Sequence, residues 1–184
     1  MKKVVVLLII AIVFIGSCKI TKEEDITDSE KFAIEYSVSN TNPVKYASIE
    51  KILQIVKDGN GILFFANSDC DVCTTNAKIF LEALADTDTT DVYYYNPQKI
   101  INEDSESYKE LKNLLDERIE EFDDDLKLPA VFIVRNGKVV AYSNDLSLSD
   151  ESVEDYLTTK SKKTLKEKYV NLIKKYKESE YVNY

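Results

Sequence analysis

Hydrophobic positions change rhythm several times along this chain. Residues 4–15 are apolar without a break, and residues 19–31 are polar and charged with little periodicity. Ile34-Glu35-Tyr36-Ser37-Val38 alternates apolar and polar side chains, which predicts a half-buried strand. Asn40 to Pro43 is turn chemistry. Behind Ser48, a good helix cap, Ile49, Ile52, Leu53 and Val56 follow the 3.6-residue period until Asp58-Gly59-Asn60-Gly61 ends it. Ile62-Leu63-Phe64-Phe65-Ala66 is a short continuous apolar run, the mark of a central strand buried on both faces.

Asn67-Ser68-Asp69 then turns the chain into Cys70-Asp71-Val72-Cys73, which opens a helix carrying Ala77, Phe80, Leu81 and Leu84. Val92-Tyr93-Tyr94-Tyr95 reads as a strand ended by Asn96-Pro97. Tyr108, Leu111, Leu114, Leu115, Ile119 and Phe122 mark a third helix. After Pro129, two β-rich runs at 130–134 and 138–142 flank Asn136-Gly137, a hairpin signal with a turn chemistry to match. A last helical region starts at about Ser149, with Leu165, Tyr169, Leu172, Ile173 and Tyr176 on one face. The expected class is α/β, a central mixed β-sheet flanked by helices.

Length and composition narrow the picture. The 184 residues hold one domain with a real core and are too few for two comfortable ones. With 4 glycines and 3 prolines, low-complexity and linker-rich readings lose their support. The net charge is −9, and −11 once Lys2 and Lys3 are set aside, so nucleic-acid phosphates are repelled and no nucleic-acid partner is expected. The absence of histidine removes Ser-His-Asp and Cys-His nucleophile pairs and histidine metal ligands. Neither a metal nor an organic cofactor is expected. Asp86-x-Asp88-x-x-Asp91 lacks the glycine and distal glutamate of a calcium loop and reads as a polar turn.

The opening segment has the layout of an address. Lys2-Lys3 precede an apolar run of twelve residues, short of the roughly 20 needed to span a bilayer as a helix but suited to a signal peptide. It ends in Ile15-Gly16-Ser17-Cys18, which resembles the lipobox of bacterial lipoproteins. That resemblance implies cleavage before Cys18, a diacylglyceryl group on its sulfur, and a protein lipid-anchored to the outer face of the cytoplasmic membrane. An ordinary signal peptide followed by an unpaired cysteine is the alternative. The expected division is residues 1–17 as signal, 18–31 as lipidated cysteine and solvated tether, and 32–184 as the folded domain.

Candidate chemistry lies at the other two cysteines. A sulfur at a helix N-terminus faces free N–H groups and the positive dipole end, which favours the thiolate, the attacking species. A second cysteine three residues on is one turn away. A buried strand before the CxxC, a helix after it and a downstream proline leading a hairpin together resemble a thioredoxin-like fold. The similarity is closest to small thioredoxin-like lipoproteins of Gram-positive bacteria and the related bacteriocin transport accessory proteins. It covers roughly residues 34–177, most strongly 61–84 and 128–142.

The resemblance implies that Cys70 is the nucleophile, Cys73 the resolving cysteine, and Pro129 a cis-proline beside them. Leu128, Asp71 and Val72 are then the residues against which a substrate docks. It also implies a thiol–disulfide oxidoreductase acting on cysteine-containing exported proteins, coupled to a membrane redox partner.

Three departures matter. There is no tryptophan, Asp69 stands where an aromatic residue often precedes the first cysteine, and the family's buried acid on the preceding strand falls near Phe64. Asp71, and the acidic residues between Glu120 and Asp125, oppose a thiolate, so the site is expected to lean towards a reductant or isomerase. The rival reading is a non-catalytic binding or accessory module whose disulfide is only structural. A zinc site is disfavoured, because two thiols fall short of four ligands.

Overall fold

The computed structural model describes residues 26–120, 122, 126–143 and 159–178. The elements run α1 (Asp28–Tyr36), β1 (Val44–Tyr46), α2 (Ile49–Asp58), β2 (Gly61–Phe65), α3 (Asp71–Asp86) and β3 (Val92–Tyr95). They continue with α4 (Gln98–Asn102), α5 (Glu106–Asp116), β4 (Ala130–Arg135), β5 (Lys138–Ser143) and α6 (Thr159–Glu178). The five strands form one mixed sheet in the order β1-β3-β2-β4-β5. β1, β3 and β2 are parallel, and β4 is antiparallel to β2 and to β5.

β2 is buried along its whole length because helices cover both faces of the sheet. Its side chains point alternately to the two sides. Ile62 and Phe64, with Tyr94, Val131 and Ile133, pack against α1, α3 and α6. Leu63 and Phe65, with Phe132 and Val134, pack against α2 and α5. Two apolar layers thus lie on one sheet, and each fully buried Phe or Ile contributes about 1.5–3 kcal/mol of transfer free energy.

The alternation at residues 34–38 does not make a strand. Thr27 accepts a hydrogen bond from the Glu30 N–H, and the Glu30 carboxylate accepts from the Thr27 N–H, a capping box that starts a helix. Phe32, Ala33 and Tyr36 then fall on one face and are buried, whereas Ile34 is 73% exposed. Helical spacing turns Ala33 in with Phe32 and Tyr36 and Ile34 out, where a strand would have buried Ile34 on the same face as Tyr36. The same cap places residues 28–31 in this helix, although they were expected to belong to a solvated tether reaching Lys31.

Two short elements had no legible signal. β1 has three residues, and α4 has five with none buried. The helix expected through Phe122 ends at Asp116, and Ile119 and Phe122 instead fill the core from the connection beyond it. Residues 149–158, where the last helix was expected to begin, lie outside the described residues. From Thr159 onward the expected face is buried, with Leu165, Tyr169, Leu172, Ile173 and Tyr176 against the sheet and α3.

At the far end of the hairpin, Asn136 and Gly137 both have positive φ, 48° and 70°. Only a residue without Cβ fits at Gly137, because its turn lies directly on the end of α2. The Gly137 N–H donates to Gly59 O at 2.9 Å, the Asn136 N–H to Asn60 Oδ1 at 2.9 Å, and Arg118 Nε–H to Gly137 O at 2.8 Å.

Candidate functional site

The loop after β2 is shaped by Asn67. Its Oδ1 accepts from the Asp69 N–H at 3.1 Å, and its carbonyl accepts from the Cys70 N–H at 3.1 Å. This Asx-type turn delivers Cys70 to the N-cap of α3 in an extended conformation. Cys70 Sγ then accepts from the Cys73 N–H at 3.2 Å, the bond a serine or aspartate cap would make. A sulfur in that place is held by a backbone donor and by the positive end of a 16-residue helix.

Cys70 and Cys73 are both free thiols, but their surroundings differ. Cys70 is half-buried and reachable from solvent, whereas Cys73 is fully buried. Burial pushes the Cys73 thiol up to about 12, with the neighbouring Cys70 adding to the shift. One sulfur is therefore accessible and N–H-bonded, and the other is a protonated thiol inside the core.

The register of β2 with β4 explains how distant residues join them. Phe65 pairs with Ala130, so Pro129 arrives at the end of the sheet from which the Cys70 loop departs. The Leu128–Pro129 peptide is cis and Pro129 is buried. Half-buried Leu128 borders both apolar layers, and Cys70 borders the one shared with α3. Asp71 is exposed on the first turn of α3 and Val72 is half-buried beside it. The fold thus gathers Cys70, Asp71, Val72, Cys73, Leu128 and Pro129 at one end of the sheet. Cys18 lies outside the described residues, as do Glu121 and residues 123–125 of the acidic run.

Two neighbouring features had no clear sequence signal. A polar cleft of about 470 Å³ is lined by Asn67, Asp69, Asn96, Gln98, Asn102 and their neighbours. Gln98 Nε2 donates to Asn102 Oδ1 at 2.8 Å and the Gln98 N–H to Asn96 Oδ1 at 3.0 Å. Asn96 just after β3, Gln98 and Asn102 of α4, and Asn67 of the Cys70 loop meet here because β3 lies beside β2.

The second feature is a carboxylate network on the sheet face that also holds Cys73. Phe64 occupies the strand position where an acid was sought, fully buried and stacked on Phe80 at 4.7 Å. An acid enters instead from α1. Tyr36 Oη–H donates to Tyr94 Oη at 3.0 Å, Tyr94 Oη–H donates to Glu35 Oε1 at 2.8 Å, and Tyr46 Oη–H donates to Glu35 Oε2. Burial drives all three tyrosine hydroxyls far above their ordinary range, and the Glu35 charge reinforces the shift.

Among the described residues no cluster of three or more Cys, Asp or Glu side chains is arranged to hold a metal ion, and no helix is long and apolar enough to cross a membrane. No family model matches the chain, and neither does a curated protein or a solved structure.

Proposed function

We propose that this chain is a thioredoxin-like thiol–disulfide oxidoreductase, anchored outside the cytoplasmic membrane through Cys18 and acting on cysteines of exported proteins. The observation that carries the reading is the asymmetry of the two sulfurs. Cys70 is accessible and caps α3 with its Sγ on the Cys73 N–H, whereas Cys73 is a buried thiol one turn away. That division suits a nucleophile that meets the substrate and a resolving group that waits behind it.

In the reducing direction, Cys70 thiolate attacks a substrate disulfide. A Cys70–substrate S–S bond forms and one substrate thiolate leaves, taking a proton from solvent. Cys73 then loses its proton and attacks Cys70 Sγ. The internal disulfide forms, the second substrate thiolate leaves, and two electrons have passed from the protein dithiol to the substrate. Pro129, buried at the same end of the sheet, and Leu128 beside it would shape the surface that receives the substrate backbone. Asp69 and Asp71, exposed on either side of Cys70 in the chain, put negative charge at the mouth of the site, which fits a reductant or isomerase. A membrane redox partner would return the electrons.

The test is the reduction potential of the Cys70–Cys73 pair, measured on the full chain against glutathione buffers. A reversible two-electron couple between about −120 and −270 mV, the span of catalysts of this type, is expected. A disulfide below about −300 mV, or one reduced only on unfolding, would assign the chain to the binding or accessory class instead.

A further inference from the structure

Cys70 has two flanks along the end of the sheet. β2 lies between β3 and β4, parallel to the first and antiparallel to the second. Asn96 after β3, the Cys70 loop after β2 and Pro129 before β4 therefore stand in a row at the same end. Leu128 and Pro129 form one flank, and the amide-lined cleft of about 470 Å³ forms the other. We propose that this cleft is a substrate subsite, selecting an uncharged hydrogen-bonding side chain one or two residues from the target cysteine. This inference rests on the redox reading of the CxxC and adds a substrate class to it.

The cleft and the reactive sulfur belong to one loop. Asp69 lines the cleft and immediately precedes Cys70. Asn67 also lines it, and its carbonyl accepts from the Cys70 N–H at 3.1 Å. Neighbouring strands lie about 4.8 Å apart and an extended residue spans about 3.3 Å, so a peptide crossing from Cys70 to the Asn96 side advances one or two residues.

Backbone donors fix which way the amides face. The Asp69 N–H donates to Asn67 Oδ1 at 3.1 Å and the Gln98 N–H to Asn96 Oδ1 at 3.0 Å. With each oxygen held, each Nδ2 is held as well. Asn96 Nδ2 donates to Asn67 Oδ1 at 3.4 Å and Asn67 Nδ2 to Gln98 Oε1 at 3.5 Å. Both links are longer than the roughly 2.7–3.2 Å of a well-formed N–H···O bond, so both donors are open to a better acceptor. Gln98 Nε2 donates to Asn102 Oδ1 at 2.8 Å, and Asn102 Nδ2 has no acceptor among the described residues.

These groups define what fits. A primary amide offers both donors and acceptors, so a carboxamide or hydroxyl side chain, with the peptide groups beside it, satisfies both. No described side chain lining the cleft is apolar, so an aliphatic residue gains little burial there and leaves the amides unpaired. The charged groups at the cleft are Asp69, Lys99 and Glu103, with one net negative charge, which disfavours an anionic residue.

The experiment uses the reduced full chain and two peptides, Gly-Asn-Asn-Cys-Asn-Asn-Gly and Gly-Leu-Leu-Cys-Leu-Leu-Gly. Each carries 2-nitro-5-thiobenzoate on its cysteine as a mixed disulfide. Asparagine and leucine branch at the same atom, so the peptides differ in hydrogen bonding far more than in shape. Cys70 thiolate attacks the peptide sulfur, the Cys70–peptide bond forms, and the coloured thionitrobenzoate leaves. The C70S rate, which reports any other thiol, is subtracted, and each rate constant is divided by that of the same peptide with glutathione. The wild-type chain is expected to prefer the asparagine peptide about tenfold, the worth of one or two hydrogen bonds in a site open to water. The preference should fall to about onefold in Q98A/N102A.

Equal normalised rates in the wild-type chain, or a preference for leucine, overturn the subsite and leave the redox reading intact. A preference for asparagine that survives in Q98A/N102A overturns it too. A wild-type chain that reacts with both peptides no faster than glutathione overturns the redox reading and the subsite together. α4 buries none of its residues, so the two replacements leave the core untouched. Circular dichroism checks the fold of the variant, and the wild-type ratio tests the subsite without it.

Discussion

Replacing Gly137 with alanine tests how the β4–β5 hairpin is fixed to the rest of the domain. An added Cβ would stand 2.1 Å from Lys57 O, 2.6 Å from Lys57 C and 2.9 Å from Asp58 Cα. All three are backbone atoms at the end of α2, so no side-chain rotation relieves the overlap. The backbone there also has φ of 70°, which costs a residue with a Cβ about 1–2 kcal/mol. To clear α2 the turn must retreat, and the bonds from Gly137 N–H to Gly59 O, Asn136 N–H to Asn60 Oδ1 and Arg118 Nε–H to Gly137 O go with it. At about 1 kcal/mol for each bond, the total comes to about 4 kcal/mol, a large part of a typical domain stability.

Urea unfolding of the wild-type chain and G137A, followed by circular dichroism, measures the difference. N136G is the control, because φ of 48° at Asn136 already suits glycine, and it should remain near wild-type stability. A loss in G137A no greater than about 1.5 kcal/mol, the dihedral penalty alone, would refute the close-approach reasoning. The reduction potential of folded G137A should equal the wild-type value. The hairpin turn lies at the Gly61 end of β2 and Cys70 follows the Phe65 end, about 13 Å further along the strand.

Alkali should destabilise the protein through its buried acids. In the unfolded chain Cys73 ionises near 9 and Tyr36, Tyr46 and Tyr94 near 10, and in the fold all four are raised. Above those ordinary values the unfolded chain holds fewer protons than the native one, so their contribution is complete below about pH 8 and lost as pH rises through 9 to 12. The slope approaches about 1.4 kcal/mol per pH unit for each fully affected group. Thermal melts should fall steeply from pH 9 to 11, and a flat profile would contradict the burial of these hydroxyls and this thiol. Iodoacetamide labelling with peptide mapping should modify half-buried Cys70 in the native protein and reach Cys73 only in denaturant. Equal labelling of both would remove the asymmetry on which the functional proposal depends.

Where one local rule decided an element, the residues alone were enough to read it. The continuous apolar run of β2, the Ser48 cap and periodic face of α2, the Asn136-Gly137 turn and the stripe on α6 each carry a signal within a dozen residues. So does the CxxC at the start of α3, because a loop of Asn, Ser and Asp before an apolar-periodic segment is itself a helix-start signal. Residues 34–38 show where such reading fails. Apolar alternation over five residues is compatible with either element, and the capping box one turn upstream, together with the burial of Phe32 and Tyr36, decided for a helix.

The grouping of residues far apart in the chain was settled only in three dimensions. Pro129 reaches the Cys70 end of the sheet through the antiparallel pairing of β4 with β2, and the amide cleft exists because β3 lies parallel beside β2. Glu35, Tyr94 and Tyr36 are spread over nearly 60 residues of chain and meet because α1 packs on the same sheet face as α3. Local sequence fixes backbone conformation through sterics, caps and periodic burial, whose range is a turn or two. The contacts that set the depth of Cys73 and the surroundings of Glu35 come from strand order and layer choice, which are decided by how the whole apolar surface closes.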